Sequence, residues 1–386
     1  MILAAGAAAL AAIGALQSLA GWIAVARFAA RPVPAAAHRP PITVLKPLHG
    51  DEPGLEAALA TLCRQDYPEF QVVFGVQDPA DPAIGVVRRI QARFPGRRLV
   101  LVVDPTAHGP NRKIGNLMNM LPAARHAVLA IADSDLHVAP DWLDRLAAAL
   151  EVPGTGLVTT LYAGLPAAGG LVQRLGVEQI THAFLPGALL ARALGRQDCL
   201  GATMMLRRAT LERIGGLAAL VGHLADDNVL GRKVAALGLG VVLADTVPLT
   251  TVPEATPGAL WRHELRWART VRALAPAAFA ASVLQYPIAW ALAAVALAGG
   301  AGWSWVVLAG AWAGRAAAGQ GIDRGLRRRG VALAFPLPLW LLPLRELISV
   351  VVLLAAFAGN RVEWRGQRLT ADRPARRPRD QGSKPR

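Results

Sequence analysis

Two long stretches without a charge constrain this chain more than any other feature. Residues Ile2 to Ala26 carry none, and neither do residues Pro276 to Gly314. At about 1.5 Å of helical rise per residue, a run as long as the first exceeds the roughly 30 Å hydrocarbon core of a bilayer. Its positive charges, Arg27 and Arg31, follow the apolar run instead of preceding it. That order predicts a retained anchor with its C-terminal end in the cytoplasm, not a cleaved signal. The second stretch has room for two helices joined at Gly299-Gly300-Ala301-Gly302, a membrane hairpin. Arg315, Arg324 and Arg327-Arg328-Arg329 come next and are expected in a cytoplasmic loop. A third apolar block, Val331 to Gly359, is broken by Pro336, Pro338 and Pro343 and holds Arg345-Glu346 in its middle. It fits either one irregular span or a re-entrant hairpin. The expected parts are thus an N-terminal anchor (1–28), a membrane region (276–359) and a basic cytoplasmic tail (360–386).

Composition narrows the function classes. With 54% hydrophobic and 17% charged residues in 386, the chain is not disordered, collagen-like or a small disulfide scaffold. Cys63 and Cys199 read as buried small hydrophobes. The net charge of +15 raises nucleic acid as a partner. However, the nine Lys/Arg against three Asp/Glu after residue 359 follow directly on an apolar block, with Trp364 as their single aromatic. They read as the flank of a membrane protein, and no nucleic-acid partner is expected.

Residues 41–275 have a different pattern. Strand candidates Ile42–Lys46, Gln71–Val76, Leu99–Val103 and Ala127–Ala132 alternate with the helix-periodic stretches Leu55–Arg64, Ala83–Phe94 and Ile114–Leu121. Near-continuous apolar strands alternating with helices predict an α/β domain with a mostly parallel sheet covered on both faces. Ligands of such sheets bind at the carboxyl ends of the strands. Three of the candidates end in polar groups: Lys46-Pro47, Gln77-Asp78 and Asp133-Ser134-Asp135. One cation and three carboxylates on one rim suit an anionic ligand held with a divalent metal.

Each candidate also has a plainer reading. With 16 Asp in the chain, chance alone gives about 0.7 Asp-x-Asp pairs, so the placement of Asp133 and Asp135 at a strand exit is what counts. There, two carboxylates on alternate residues can reach one hard cation, Mg²⁺ or Mn²⁺; an Asx-capped turn is the alternative. Asp226-Asp227 precedes a helical stretch and fits either an N-cap pair or a general base, since adjacent carboxylates raise one another's proton affinity. Lys113 opens a helix where it would attract phosphate, or is a solvated surface lysine. His263-Glu-Leu-Arg266-Trp267 lacks the second histidine of a zinc-protease helix. It remains a basic-aromatic cluster beside the membrane, suited to anchoring at the headgroups or to closing over a diphosphate with Arg266 as a fork.

Taken in order, Val44-Leu-Lys-Pro-Leu48 with Gly50, Arg64-Gln-Asp-Tyr-Pro68, Val76-Gln-Asp78-Pro, Asp133-Ser-Asp135, Gly201-Ala-Thr-Met, Leu224-Ala-Asp-Asp227 and His263-Glu-Leu-Arg-Trp267 resemble an inverting family-2-like glycosyltransferase of the GT-A type. The nearest resemblance is to ceramide glucosyltransferases and to the bacterial hopanoid-biosynthesis glycosyltransferases, whose ending the Val362-Glu-Trp-Arg-Gly366 segment also resembles. The resemblance implies a GT-A domain over 41–275 and a role for each residue. Asp78 would bind the nucleoside of a UDP-sugar donor, Asp133 and Asp135 the metal and diphosphate, with Asp135 favoured as direct ligand. Asp227 would deprotonate a membrane-lipid hydroxyl, with Asp226 beside it. Lys46, Lys113, His263, Arg266 and Trp267 would bind substrate. The first position of the Gln/Arg-x-x-Arg-Trp pattern is His263 here, which argues against a processive polysaccharide synthase. A non-catalytic membrane lipid-binding protein is the rival from another class, and it leaves the strand-end carboxylates unexplained. The Ala- and Arg-rich composition is that of a high-GC bacterium, so a bacterial inner membrane with the catalytic domain in the cytoplasm is expected.

Overall fold

In the computed structural model, which describes residues 1–34, 36–359, 361–364 and 367–370, the first apolar stretch is a single helix, α1 (Ile2–Ala29). Strands and helices then alternate: β1 (Ile42–Pro47), α2 (Leu55–Cys63), β2 (Phe70–Val76), α3 (Ala83–Arg93), β3 (Arg98–Val103), α4 (Arg112–Met120), β4 (Val128–Ala132), β5 (Leu136–His137) and α5 (Trp142–Glu151). β6 (Thr155–Thr159), β7 (Ala163–Pro166), α6 (Leu171–Gln179), α7 (Leu185–Ala193), β8 (Thr203–Arg207), α8 (Arg208–Arg213), α9 (Asp226–Ala236), β9 (Gly240–Leu243) and β10 (Leu249–Val252) complete the domain.

Seven strands form one sheet in the order β3-β2-β1-β4-β8-β6-β9. It is mostly parallel, with β8 antiparallel between β4 and β6. β1, β2 and β4 are buried along their whole length, so successive residues feed two cores. Val44, Val72 and Ala130 pack with Leu59, Val87 and Leu146 of α2, α3 and α5. Leu45, Val73 and Leu129 pack with Ile114 and Leu117 of α4 and Leu230 of α9. α4 lies close on β2 because residue 75 is glycine: a Cβ there would sit 2.4 Å from Met120 Cγ, and Asn116 Nδ2 donates to the Gly75 carbonyl at 2.7 Å. A small second sheet, β5-β10-β7, adjoins the segment that leaves β4.

The C-terminal third is helical: α10 (Pro257–Leu274), α11 (Pro276–Ala281), α12 (Pro287–Leu297), α13 (Gly302–Arg328) and α14 (Leu342–Ala356). By length and composition, Ile2–Ala29 and Leu339–Ala356 are each able to cross a membrane. Pro276–Gln285 with Pro287–Leu297 makes a third, broken candidate bent by 66°. Gly299 and Gly300 turn the chain between α12 and α13 at φ of +61° and +76°, where a side chain would be strained. The charged residues after Gly314 do not form the loop expected from the sequence; α13 continues through them to Arg328. The helix tolerates Arg315 because its Nη2 donates to the His182 carbonyl (2.9 Å) and its Nε lies 3.5 Å from Glu346. Asp323 is likewise matched, accepting from His182 Nε2 at 2.8 Å and from the Leu337 N–H at 3.0 Å.

After α13 the chain runs back along it. Trp312 Nε1 donates to the Leu339 carbonyl (2.9 Å), and α14 then returns to pack on α10. A third core, with Val25, Phe28, Leu161, Leu185, Ile322 and Leu326, joins α1, α7 and α13 to the α/β domain. Arg361–Trp364 and Gln367–Thr370 pair as antiparallel strands, and the rest of the basic tail expected at 360–386 lies outside the described residues.

Candidate active site

The carboxyl ends of β1, β2 and β4 open on one edge of the sheet, and two helices start there. Asn111 caps α4 by accepting the Ile114 N–H (3.1 Å), and its amide donates to the His223 carbonyl (2.7 Å) and to Asp226 Oδ1 (3.2 Å). That one side chain ties the N-terminus of α4 to the N-terminus of α9. Lys113 on α4 is thereby brought to Asp133 at the end of β4. Its Nζ lies 2.6 Å from Asp133 Oδ1 and 4.0 Å from Asp226 Oδ2, and 3.5 Å from the Gly201 carbonyl. Asp133, Asp226, Asp227 and Lys113, from three separate elements, form one cluster.

Gly201, just before β8, leaves space for Asp227. A Cβ at 201 would stand 2.9 Å from Asp227 Oδ2, whose other oxygen accepts the Asn228 N–H at 2.7 Å. Burial first, and then the neighbouring Asp226 carboxylate, push Asp227 above the usual carboxylate range. Asp226 is raised by burial against the pull of Lys113, and its Oδ2 has no hydrogen-bond partner among the described residues. Burial disfavours the Lys113 ammonium, but Asp133 and Asp226 outweigh it and carry its proton affinity up.

Asp135 is pushed up to about 6 by burial and by Asp133, although Thr250 Oγ1 on β10 donates to it at 2.5 Å. Lys46 lies beneath the rim, 1% exposed, with its ammonium donating to the Asp133 carbonyl. Burial draws it down to about 8 against the pull of Asp135 and Asp133. Between them, Ser134 donates to Glu52 (2.7 Å). Asp78 is exposed at the end of β2, two strands or about 10 Å from the exit of β4. Its carboxylate accepts the Ala80 N–H at 2.8 Å.

α10 forms another wall. His263 Nδ1 meets Glu254, and the Trp267 ring lies 5.2 Å from His263, 5.9 Å from Phe184 and 6.4 Å from Tyr162. Burial raises the Tyr162 hydroxyl's proton affinity, and Asp227 adds to it, with Arg266 opposing. The aromatic group therefore lies within electrostatic reach of the acidic cluster. Sequence reasoning missed Asn111, Glu52, Tyr162, Thr250 and Glu254. Of these, only Asn111 had a visible signal, as an N-cap residue three before an apolar helix position.

A profile of glycosyl transferase family 21 matches residues 3–376 of the chain. Among curated proteins, ceramide glucosyltransferase 1 of Caenorhabditis elegans is 24% identical over 254 residues, covering 64% of this chain and 53% of its own length. The ceramide glucosyltransferase of Komagataella phaffii is 31% identical over 114 residues, covering 28% of this chain and 22% of its own. The chain thus spans about half the length of the first of these relatives and less of the second. Among solved structures, the mannosyltransferase PcManGT from Pyrobaculum calidifontis, in complex with GDP-Man and Mn²⁺, superposes with a TM-score of 0.55 at 23% identity. That match covers 92% of this chain and 98% of that one, and it supports the GT-A fold. The chain belongs to glycosyl transferase family 21, with a GT-A fold and helices long and apolar enough to cross a membrane.

Proposed function

We propose that the protein transfers glucose or N-acetylglucosamine from a UDP-sugar to a hydroxyl of a membrane lipid, ceramide or bacteriohopanepolyol, inverting the anomeric carbon. The observation that carries this reading is the cluster of Asp133, Asp226, Asp227 and Lys113 at the carboxyl edge of the sheet, with Asp227 held above the usual carboxylate range. A base for a lipid hydroxyl needs such a raised proton affinity. The names of the ceramide glucosyltransferase relatives support a glucosyl donor and a lipid acceptor.

Asp227 takes the proton of the acceptor hydroxyl while its oxygen attacks the anomeric carbon from the side opposite the diphosphate. Lys113 and the N-termini of α4 and α9 offset the negative charge that develops on the departing diphosphate. Arg266 closes over the same group from α10, and Asp78 binds the nucleoside. His263 and Trp267 line the acceptor side, and Lys46, from beneath, holds the Asp133–Asp135 turn in place.

The residues fit a divalent cation. Asp135 is a buried carboxylate destabilised by Asp133, so a positive charge shared by the two is favourable. Two carboxylates, with phosphate and water completing the shell, suffice for Mg²⁺ or Mn²⁺. When bound, the metal supplies Lewis-acid neutralisation of the leaving diphosphate. Arg27 and Arg31 at the domain end of α1 support a reading in which the catalytic domain faces the cytoplasm at a bacterial inner membrane.

The test uses purified protein in detergent with Mg²⁺ or Mn²⁺, UDP-glucose or UDP-N-acetylglucosamine, and either lipid, with product measured by mass spectrometry. Asp227→Asn is expected to lose transfer by about 10³-fold while UDP still binds. Retained turnover would remove Asp227 as the base, and no lipid product from the unmodified protein would overturn the reading.

A further inference from the structure

Away from the acidic cluster, a second polar site lies among the apolar helices. A cavity is bounded by α1, α6, α7, α13, α14 and the turn before α12, and Gln17, Ser18, Glu178, Gln285, Arg315 and Ser349 all line it. Gln17 and Ser18 lie midway along α1, so this polar surface sits about 18 Å from the domain end of that helix. Polar groups at that depth are costly and rarely idle.

Most of the charges around the cavity are already matched. Arg345 makes a two-pronged pair with Glu264 (2.7 and 2.7 Å) and also contacts Ser349 (3.2 Å). Glu346 accepts from the Ile288 and Ala289 N–H groups at 2.7 and 3.1 Å. Glu178 is the exception. It is 1% exposed, and neither carboxylate oxygen has a hydrogen-bond partner among the described residues. An unpaired buried carboxylate is expensive, and replacing it with an apolar group should stabilise the fold, so a purely structural role does not account for it.

One helical turn connects the cavity to the aromatic group of the candidate site. His182 lines it, and the same π-helical turn (Ile180–Phe184) presents Phe184 to Trp267 and Tyr162. Glu264, the partner of Arg345, lies one turn before Trp267 on α10. We infer that this cavity seats the hydroxyl or amide groups of a neutral lipid head, which donate to Glu178, behind the aromatic wall that leads to Asp227. Glu178 and Glu346 disfavour a phosphate there, because both nearby arginines are already committed. The inference rests on the lipid-acceptor reading and names the place where that acceptor is held. Ceramide and a hopanoid polyol both present donors of this kind.

The test is photolabelling of the full-length protein in nanodiscs with a ceramide bearing a diazirine near its head, with adducts mapped by mass spectrometry. Adducts are expected on the α1 segment around Gln17, on the turn around His182, or around Ser349. Excess ceramide or bacteriohopanepolyol should suppress them, and whichever does so better identifies the source; phosphatidylglycerol should not. Glu178→Leu should raise the thermal midpoint while labelling falls about tenfold. Gln17→Leu, which narrows the cavity from the opposite wall without touching Glu178, should also reduce labelling. A lower midpoint in Glu178→Leu with unchanged labelling, or adducts confined to other surfaces, would overturn the proposal. If lipid is glycosylated with an unchanged acceptor KM in both variants, the cavity assignment falls and the transferase reading stands. If the labelling pattern is as expected but no lipid is glycosylated, the transferase reading falls and the site stands.

Discussion

Gly201 and Asp227 meet across the gap between β8 and α9, so closely that a single added Cβ at 201 would lie 2.9 Å from Asp227 Oδ2. The clash is with the far end of a side chain, not with backbone, so the fold can absorb it by turning the carboxylate aside. Gly201→Ala is therefore expected to leave the thermal midpoint nearly unchanged and to lower kcat by about 100-fold, the cost of misplacing a reacting group by about an ångström. Parallel melting curves and turnover measurements check both halves.

A pH profile tests the acid pair. Asp227 must be ionised to act as a base, and its affinity for the proton is pushed up to about 7 by burial and by Asp226. The rate should fall as pH drops below about 7 and level off above it. Asp226→Asn removes the neighbouring charge, so the acid limb should move to lower pH. An unmoved limb in that variant would assign the profile to another group.

A divalent cation held by Asp133 and Asp135, as proposed, would compete with Lys113 for Asp133. Lys113→Met removes the ammonium 2.6 Å from Asp133 Oδ1 and should cost about 2 kcal/mol of stability. This is less than for a fully buried pair, because the Asp133 side chain is 37% exposed. Added Mg²⁺ or Mn²⁺ should then raise the melting midpoint more in Lys113→Met than in the unmodified protein. Thermal unfolding with and without metal reads this directly.

The Glu264–Arg345 pair should behave as a buried ion pair. Arg345→Leu alone strands the Glu264 carboxylate, 9% exposed, and should destabilise by about 3–5 kcal/mol. Adding Glu264→Leu should recover most of that loss, since two apolar residues replace two charges. The double-variant cycle can be followed by unfolding in detergent.

Much of this was legible in the sequence, for identifiable reasons. Buried parallel strands are continuous apolar runs, so β1 to β4 stand out, and the polar residues that end them are the ones at the edge of the sheet. β8 was not legible, because Thr203-Met-Met-Leu has neither alternation nor β-branched enrichment and its partners are set by tertiary packing. The continuation of α13 past Arg315 was hidden because its charges read as a solvent-exposed loop. Their partners, His182 and Glu346, come from distant parts of the chain. Within the site, the carboxylates announced themselves by position, whereas Tyr162 and Glu254 act only through what packs against them.

α10 holds Trp267 toward the acidic cluster and Glu264 toward Arg345 of α14. A fragment truncated near Ala275, the obvious place to cut for a soluble domain, would keep the acidic cluster yet lose the arginine that steadies the helix beside it. Detaching the α/β domain from its apolar helices would therefore remove part of its own scaffold, and on the proposed reading mutations deep in the apolar region should register as lost turnover before they register as lost anchoring.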